Sequence, residues 1–571
     1  MLSAPLPPSI RRNALPPLAA LLLLAACGTA PPSGEGQPAV ACGRMPSALR
    51  DLDGLRMVDA ETVAADGQGH PAHCRISGRL HERRGDDGQR YAIGFELRLP
   101  VGWSGRLLHQ PQAGRVDPAY GGLAVLGAAD ALSRGIAVLS SDGGHDSSER
   151  GFQKDGAARG QAFGRDPQAR ADLGHAADAT LWPLAQTITQ RHYGQAPRWR
   201  YIAGCGEGGR RALVAASRTP EQYDGVLAGA PALHLPRAAL QSAWEARVWR
   251  TVDPEPQRAL SAEDLQRVAQ AVLARCDAQD LLVDGLVADV ARCQRSLRWT
   301  ELVCGSPGAS AATCLDRGRA AALKGVLDGA QDGQGRPLYA HWPLDPGIAT
   351  PAWRQWKLDG GGADLDGEAT GTVLAAASLS RVFSTPPVAV DGTPAALRDW
   401  LLQLDLDQAA EAMAATDERH PQSALALFDP PDVLAPRLDA LARRGGRVLV
   451  YHGAADPVLS LQATLRWTEA LQAQLGLAQA DQRARSFAVP GMGHCSGGPA
   501  TDRFDALGAL MAWVEQGRAP DRLEAQVDAA NPELPAGWSR QRGRALCPWP
   551  RVARYAGGPP EAAGSFRCAM P

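Results

Sequence analysis

The feature that most constrains this chain is a short apolar segment that runs into a glycine-rich turn and then into a helix-forming stretch. Residues 201–203 have the apolar character of a buried strand, and the turn Gly204-Cys205-Gly206-Glu207-Gly208-Gly209 follows directly. A sharp strand–turn–helix element of this kind pushes its apex side chain into a cleft, where a serine acts as a nucleophile. Here the apex is Gly206, which has no side chain. The pattern therefore predicts a nucleophile elbow that lacks its nucleophile.

Other apolar runs predict a mostly parallel sheet with helices between its strands. Residues 91–99 alternate apolar and polar side chains, as a half-buried strand does. Residues 135–140 form a continuous apolar run, which is typical of a strand buried on both faces. Further predicted strands cover 106–109, 201–203, 225–230, 447–453 and 486–489, and a helix is predicted over 172–192. Strands that alternate with helices indicate an α/β fold.

The strand pattern fades between residues 231 and 444, where helical runs and local cysteines prevail. We therefore predict a sheet domain in two parts, 41–231 and 445–571, with residues 232–444 inserted as a lid. The second part ends in a proline-rich tail that Cys547 and Cys568 would tie down. A lid would cover the carboxyl ends of the strands, where such folds bind ligands. The alternative is a separate helical domain that has no part in the site.

The N-terminus has the pattern of an export signal. Arg11 and Arg12 precede a short apolar run at 18–26, and small residues stand directly before Cys27. A cysteine at that place indicates a bacterial lipoprotein, with 1–26 removed, Cys27 lipidated and 27–40 as a tether. The alternative is an ordinary secretory signal with an incidental cysteine. We predict a periplasmic or outer-membrane-anchored lipoprotein, or else a secreted protein, that touches membrane only through the lipid on Cys27.

The charge of the chain argues against one class of function, and its cysteine content indicates disulfides. The net charge of −2 and the lack of a basic stripe argue against nucleic-acid binding. Setting Cys27 aside leaves an even number of cysteines, which in an exported chain indicates disulfides. A zinc site is the alternative, although the chain has no tight CxxC pair. Sequence order suggests the pairs Cys42–Cys74, Cys276–Cys293, Cys304–Cys314 and Cys547–Cys568, which leaves Cys205 with Cys495.

Two further predicted strands end in loops that carry acid–base side chains. Asp456 follows the strand at 447–453, and His494 follows the strand at 486–489. The order elbow, acid, histidine is that of α/β-hydrolases. In such a site Asp456 would orient His494, and His494 would move the proton of the nucleophile. A lone acid or histidine on a loop is more often a solvated surface residue, but three strand ends in this order favour a catalytic set.

These motifs together resemble one family. The elbow at 204–209, the segment His452-Gly453-x-x-Asp456-Pro457 and the pair His494-Cys495 are similar to those of the tannase and feruloyl esterase family. The family also contains terephthalate monoester hydrolases, and the resemblance extends from about Cys42 to Cys568. It implies an α/β-hydrolase fold, a large inserted lid and a serine-esterase site. It also implies the disulfide Cys205–Cys495 between the two catalytic loops.

The chain departs from the family pattern at two places. Gly206 stands where the family has serine, so the acyl-enzyme route is lost. The family's glycine-rich oxyanion loop aligns with residues 110–114, where Pro111 has no N–H to donate. We expect the N–H of Glu207 to be one oxyanion donor and that of Gly114 to be the second.

The resemblance also implies a structural calcium site in the lid. Asp277, Asp280 and Asp284 would bind the ion through carboxylates, and Leu282 and Leu286 through backbone carbonyls. Calcium prefers such oxygen ligands. The alternative is a solvated acidic loop. No organic cofactor is expected.

The aromatic residues of the lid suggest what the site would hold. Trp342, Trp353, Trp356 and Phe383 would stack on an aromatic acyl group, unless they belong to the core. The family resemblance implies a hydrolase for small esters of aromatic acids, which here would work through a displaced nucleophile or a water activated by His494. The alternatives are a catalytically silent envelope protein that binds such an ester or a partner, and an inactivated sequence variant.

Overall fold

The strands of this chain form one large sheet and two small ones in the computed structural model, which describes residues 38–111, 114–127, 129–361 and 365–571. The predicted signal peptide, Cys27 and most of the tether lie outside the described residues. The strands are β1 (Leu55–Val63), β2 (His73–Arg84), β3 (Arg90–Pro100), β4 (Arg106–Gln110), β5 (Ala137–Ser141), β6 (Trp199–Cys205), β7 (Gly225–Gly229), β8 (Arg447–Gly453), β9 (Ala484–Val489), β10 (Leu523–Gln526), β11 (Gly543–Leu546), β12 (Val552–Tyr555) and β13 (Phe566–Ala569).

The large sheet has an antiparallel edge and a parallel centre. Its order among the described residues is β1-β2-β3-β5-β4-β6-β7-β8-β9. Strands β1, β2, β3 and β5 pair antiparallel, and every pair from β5 through β4 to β9 is parallel. The pairs β10–β11 and β12–β13 are separate antiparallel ribbons. Because the central strands are parallel, their carboxyl ends share one edge, and the elbow, the acid loop and the histidine loop all follow strands of this group.

Helices fill the connections and cover the sheet. They are α1 (Met45–Ala48), α2 (Arg150–Gln153), α3 (Pro167–Ala171), α4 (Ala177–Tyr193), α5 (Glu207–Arg218), α6 (Leu235–Arg250), α7 (Ala262–Cys276), α8 (Val290–Ser296), α9 (Arg317–Asp328), α10 (Pro351–Lys357), α11 (Thr370–Arg381), α12 (Pro394–Gln403), α13 (Leu406–Ala414), α14 (Ala424–Phe428), α15 (Pro431–Leu434), α16 (Asp439–Arg443), α17 (Leu461–Leu475), α18 (Leu477–Asp481) and α19 (Ala506–Gln516). The helix predicted over 172–192 begins with an irregular turn at Asp172–Ala176 and continues as α4.

Alternating side chains of the central strands build a separate core on each face of the sheet. On β6, Ile202 packs into one core with residues of α4, α5 and α17. Its neighbours Tyr201 and Ala203 pack into the other core with residues of α19. Successive residues of a strand point to opposite faces, so both faces need apolar cover. This burial explains why these strands appear in the sequence as continuous apolar runs.

The chain between β7 and β8 is helical. It contains α6 to α16, and its described residues contribute no strand to any sheet. Side chains of this segment share cores with residues outside it, such as Tyr91 and Phe152. The described residues from 38 onward belong to one compact unit. We refer to residues 232–444 as the inserted helical segment.

Five disulfides join the cysteines in the pairs that sequence order suggested. They are Cys42–Cys74, Cys205–Cys495, Cys276–Cys293, Cys304–Cys314 and Cys547–Cys568. Their sulfurs are bonded to each other, so these cysteines offer no thiolates to zinc. A framework of this size is typical of a protein exported to an oxidising compartment. Within the described part of the chain, no helix has the length and apolar character needed to cross a bilayer.

Candidate active site

The turn between β6 and α5 is a tight elbow with Gly206 at its apex. Gly206 has φ 61° and ψ −120°, a conformation that side-chain-bearing residues rarely adopt. Its N–H donates to the carbonyl of Gly229 on β7, and its carbonyl accepts the N–H of Arg210 in the first turn of α5. The elbow is also closely packed, because a Cβ at Gly204 would lie 2.6 Å from the carbonyl carbon of Gly208. The glycines of the motif therefore fix the turn.

His494 and Asp456 form a hydrogen-bonded pair beside this elbow. The Nδ1 of His494 lies 2.8 Å from Oδ2 of Asp456. The carboxylate is fully buried, and its other oxygen accepts the N–H groups of Val458 and Leu459 at 2.8 and 3.1 Å. The His494 side chain is 30 % exposed, so one side of the ring remains accessible. Hydrogen bonds thus fix the side chain of Asp456, while part of the His494 ring remains accessible.

The pair is electrostatically polarised. Burial disfavours the ionised form of Asp456, but the charge of His494 and hydrogen bonds from His452 and His494 outweigh it, so the pKa of Asp456 lies well below its usual value. Burial also acts against the protonated form of His494. The charge of Asp456 and its hydrogen bond to the ring together outweigh burial, so the pKa of His494 is raised from its usual value. Asp456 is therefore ionised at neutral pH and stabilises a proton on His494.

The imidazole faces the position where a nucleophile would stand. A Cβ built on Gly206 would lie 3.0 Å from Nε2 and 3.4 Å from Cε1 of His494. The disulfide Cys205–Cys495, with a Cα separation of 6.0 Å, joins the residue before the apex to the residue after the histidine. The structure thus brings Gly206, His494 and Asp456 together.

Two residues near Asp456 have contacts that the sequence analysis missed. The Nε2 of His452 lies 3.2 Å from Oδ2 of Asp456, while its Nδ1 lies 2.7 Å from the hydroxyl of Thr464. The indole N–H of Trp342 donates to the backbone carbonyl of Asp456 at 2.9 Å. His452 stands four residues before Asp456 in the quoted motif, so its position was a usable signal. Trp342 belongs to the inserted helical segment, far from Asp456 along the chain, so no local sequence pattern indicates this contact.

A cavity of about 560 Å³ lies beside the elbow and is lined mainly by apolar side chains. Glu207 of the elbow and Val458 and Leu459 of the acid loop form part of its wall. Side chains of the inserted helical segment close it from the other side, among them Leu235, Ala239, Trp356, Leu374, Val382 and Phe383. The cavity therefore has the apolar character that an aromatic ligand requires.

The four aromatic residues predicted to stack on a ligand divide into two pairs. Trp356 and Phe383 line the cavity. Trp342 and Trp353 do not, because they are buried in the core of the inserted helical segment at 5 % and 3 % exposure. The ammonium of Lys357 lies 4.1 Å from the ring centroid of Trp342 and holds that ring inside the segment. A stacking role at this cavity is thus left to Trp356 and Phe383.

The N–H groups of the two expected oxyanion donors differ in whether they already have an acceptor. Glu207 is the first residue of α5, so its N–H has no acceptor within its own helix, and the residue lines the cavity. The N–H of Gly114 instead donates to the carbonyl of Asp142 at 2.9 Å. The expectation that Gly114 supplies the second donor is therefore corrected. A bridge between Gly114 and Asp146 orients the loop in this way.

The acidic loop predicted to bind calcium is folded on itself. Asp277 accepts the N–H groups of Asp284 and Gly285, and Asp280 accepts the N–H of Leu282. Burial and the charges of Asp284 and Asp277 raise the pKa of Asp280 to about 7.

One carboxylate of this loop already has a cationic partner. Asp284 accepts the N–H of Leu286 and forms an ion pair with Arg544. Across the parts of the chain that the structure describes, no three His, Cys, Asp or Glu side chains are grouped in a way that could hold a metal ion.

Known proteins match both the sequence and the fold. The model of the tannase and feruloyl esterase family matches residues 74–569. The chain is 34 % identical to a mono(2-hydroxyethyl) terephthalate hydrolase of Piscinibacter sakaiensis, covering 92 % of this chain and 89 % of the relative. It is 32 % identical to an uncharacterized esterase of Xanthomonas campestris pv. campestris, covering 87 % and 84 %.

Solved structures agree on the architecture. Feruloyl esterase B from Aspergillus oryzae superposes with a TM-score of 0.70 at 21 % identity, covering 92 % of this chain and 99 % of that one. Tannin acyl hydrolase from Aspergillus niger gives 0.65 at 20 % identity, covering 94 % and 96 %. The two superpositions establish the fold. The family match and the two relatives establish membership of the family. This chain belongs to the tannase and feruloyl esterase family of α/β-hydrolases.

Proposed function

We propose that this protein binds esters of aromatic acids in the cavity beside the elbow and hydrolyses them slowly, without an acyl-enzyme. Family membership and the esterase relatives support the substrate class. The observation that carries the proposal is the geometry at the apex. A paired, polarised His494 faces Gly206, with Nε2 3.0 Å from where a Cβ would stand. The base and its acid partner are present, and the attacking side chain is missing.

The chemistry left to these residues is general-base catalysis. Neutral His494 takes a proton from a water molecule, whose oxygen then attacks the ester carbonyl. Asp456 stabilises the resulting imidazolium, and His494 returns the proton to the departing alcohol. The N–H of Glu207 donates to the carbonyl oxygen and stabilises the negative charge that develops there. Enzymes stripped of triad members still exceed uncatalysed hydrolysis by about 10³ to 10⁴, and we expect this modest range here.

Binding without turnover is the second candidate function. It is favoured by the occupied N–H of Gly114, which leaves Glu207 as the one oxyanion donor identified in the described residues. Loss of a single donor costs about 10²- to 10³-fold in rate. A protein with neither nucleophile nor second donor would hold an aromatic ester without consuming it.

One experiment separates these functions. The purified protein is assayed with a chromogenic aromatic ester, beside His494→Ala and a control, His341→Ala, at an exposed histidine. We expect slow wild-type turnover that His494→Ala lowers by about 10²-fold or more and that the control leaves unchanged. Saturable binding without turnover would establish the binding function instead. Absence of both would refute the proposal.

The slow hydrolysis should rise with pH. The base must be neutral, and the pKa of His494 is raised above 6.5 by Asp456. The rate is therefore low below this pKa and reaches a plateau above it. Asp456→Asn removes the charge and should move the midpoint to lower pH. Initial rates between about pH 5 and pH 9 test this. A wild-type midpoint at or below that of the variant would contradict the account.

We also propose that the acidic loop binds calcium as a structural ion through Asp277, Asp280 and Asp284. The buried carboxylates and the raised pKa of Asp280 support this, since the loop holds more negative charge than Arg544 balances. These three side chains are not grouped to hold a metal ion as they stand. Binding therefore requires the loop to rearrange and Asp284 to exchange its guanidinium partner for the ion. We expect millimolar calcium to raise the melting temperature by a few degrees and Asp280→Asn to abolish that shift. An equal shift with magnesium, or none, would contradict the proposal.

We further propose that the exported protein is a lipoprotein anchored through Cys27. The five disulfides support export, and the residues around Cys27 support lipidation. Cell fractionation tests this, because Cys27→Ser should move the protein from the membrane to the soluble fraction. Full membrane retention of that variant would contradict the anchor.

A further inference from the structure

Asp456 and His494, the catalytic pair, stand on two separate loops. The acid loop, residues 454–460, follows β8 and carries Asp456, and the histidine loop, residues 490–498, follows β9 and carries His494. Neither loop belongs to a helix or a strand. The distance between the two side chains therefore depends on the elements that pack against the loops.

One stretch of the inserted helical segment contacts both loops. It comprises residues 339–347, between α9 and α10, and we call it the bridging segment. A Cβ at Gly347 would lie 2.4 Å from the Cβ of Ala455 in the acid loop and 3.0 Å from the carbonyl oxygen of Gly491 in the histidine loop. The bridging segment thus passes directly against both loops.

Three hydrogen bonds join the bridging segment to the acid loop. The indole N–H of Trp342 donates to the backbone carbonyl of Asp456 at 2.9 Å. The hydroxyl of Ser460 donates to the carbonyl of His341 at 2.6 Å, and its backbone N–H donates to the hydroxyl of Tyr339 at 3.2 Å. The first bond holds the backbone of the catalytic acid itself, and the other two hold the end of its loop.

A buried carboxylate joins the bridging segment to the histidine loop. Oδ2 of Asp345 accepts the N–H of Gly491 at 3.3 Å, and Oδ1 accepts the N–H of Gly347 at 2.8 Å. Gly491 stands three residues before His494 and turns the chain with φ 72°. Asp345 therefore holds the turn that leads to the catalytic histidine.

This carboxylate is unfavourable for the stability of the fold. Asp345 is 3 % exposed, and within the described residues it forms no ion pair with an Arg, Lys or His side chain. Burial raises its pKa from 3.8 to about 6, although the two N–H groups act against the rise. Because the pKa is higher in the folded chain, stability falls as the pH rises through this range, and the cost is full at pH 7. Proteins normally avoid a buried charge without a cation, so its place beside the histidine loop indicates a functional use.

We propose that Asp345 and Trp342 are positioning residues that hold the catalytic pair at hydrogen-bonding distance, so that the inserted helical segment completes the pair as well as covering the cavity. Neither side chain lines the cavity, so neither acts by touching a substrate there. The inference rests on the proposed function, because His494 is the base whose geometry the two residues set.

Two variants remove these contacts with little change of shape. Asp345→Asn keeps one acceptor for Gly347 and turns an amide donor toward the N–H of Gly491. Trp342→Phe removes the indole N–H and keeps a ring for the ammonium of Lys357, which lies 4.1 Å from the ring centroid of Trp342.

The pKa of His494 reports the geometry of the pair without any turnover. The charge of Asp456 and its hydrogen bond raise that pKa against the effect of burial, so a looser contact lowers it. NMR titration of the histidine ring protons measures the pKa in the otherwise wild-type protein, and His494→Ala assigns the resonance. We expect Asp345→Asn and Trp342→Phe each to lower the pKa of His494 by at least about 0.5.

Thermal unfolding separates positioning from ordinary packing. Asp345→Asn removes an unfavourable buried charge, so its melting temperature at pH 7 should equal or exceed that of the wild type while the pKa of His494 falls. Trp353→Phe is the matched control for Trp342→Phe. Trp353 lies in the same core at 3 % exposure, and among the described residues its side chain forms no hydrogen bond to either loop. This control should lower the melting temperature and leave the pKa of His494 unchanged.

A second control and the contradicting results complete the titration. Asp328→Asn, at an exposed ion pair of α9, should change neither the melting temperature nor the pKa of His494. A pKa that stays unchanged in Asp345→Asn or Trp342→Phe overturns the inference. A pKa that falls equally in Trp353→Phe also overturns it, because any loss of core packing would then suffice.

Kinetics in the Gly206→Ser background measure the consequence for catalysis. Each variant should lower kcat by about ten- to a hundredfold, since a small misplacement of the base is costly. KM should stay within about threefold, because neither residue lines the cavity. A change in KM alone overturns the positioning role. If no ester is bound or hydrolysed while the pKa shifts appear, the proposed function fails and the positioning role stands.

Discussion

Gly206→Ser raises the rate constant for hydrolysis of a chromogenic aromatic ester by at least about a hundredfold over the wild type. The reason is that the rest of the catalytic set is in place. A Cβ at position 206 lies 3.0 Å from Nε2 of His494, which puts a serine hydroxyl within reach of the base. The variant then proceeds through an acyl-enzyme, so a burst of the coloured alcohol should precede steady turnover.

The gain in activity should come at a cost in stability. Position 206 has φ 61°, where an L side chain is strained, and the new Cβ requires His494 to move by a few tenths of an ångström. We expect the free energy of unfolding to fall by about 1 to 3 kcal/mol. Gly206→Ala is the matched control, because it carries the same strain and no hydroxyl. Activation by alanine, or no activation by serine, would show that the elbow does not present a nucleophile to His494.

Asp456→Asn, introduced into the Gly206→Ser variant, lowers its rate constant by about 10⁴-fold. Asparagine keeps the shape of the side chain but loses the charge that raises the pKa of His494. It can also donate to Nδ1 and favour the wrong tautomer of the ring. Steady-state kinetics of the single and double variants measure the effect.

The control for this loss is Asp521→Asn in the same Gly206→Ser background. Asp521 is 93 % exposed and pairs with Arg485 on the surface, so its charge should not affect turnover. A loss of less than tenfold for Asp456→Asn would indicate that Asp456 does not act through His494. The buried contacts of Asp456 with Val458 and Leu459 make a stability measurement necessary beside the kinetics.

Much of the sheet could be predicted because the burial of each strand leaves a pattern in its own sequence. The central strands are buried on both faces, so they appear in the sequence as apolar runs. The predicted bounds of β8 are those that the structure has. The three loops of the site follow parallel strands and must meet at one edge. Sequence order also paired the cysteines correctly, because most of the pairs are close along the chain.

The direction of side chains and N–H groups in the site was not predictable in the same way. Gly114 lies in the expected loop, but its N–H turns to Asp142 because of pairing with a segment about thirty residues later. Trp342 and Trp356 stand in the same stretch of sequence. One packs in the core and donates to Asp456, and the other lines the cavity. Helix packing decides which of the two rings lines the cavity, and no pattern in a single sequence indicates the outcome.

Some residues that line the cavity were missed for a related reason. His145 comes a few residues after the strand predicted at 135–140, but no motif marks it or Gln161. Both residues line the cavity because distant elements pack together, which is visible only once those elements are in place. His452 differs, since its spacing to Asp456 was part of the quoted motif and could have been used.

The most direct test of the account is covalent labelling with a fluorophosphonate, followed by peptide mass spectrometry. The reagent phosphonylates a serine that an adjacent histidine activates, with release of fluoride. We predict one label per molecule of Gly206→Ser, located at position 206, and no label on the wild-type protein. Labelling of the wild type at another residue would reveal a nucleophile elsewhere, and an unlabelled variant would mean that His494 does not serve the elbow.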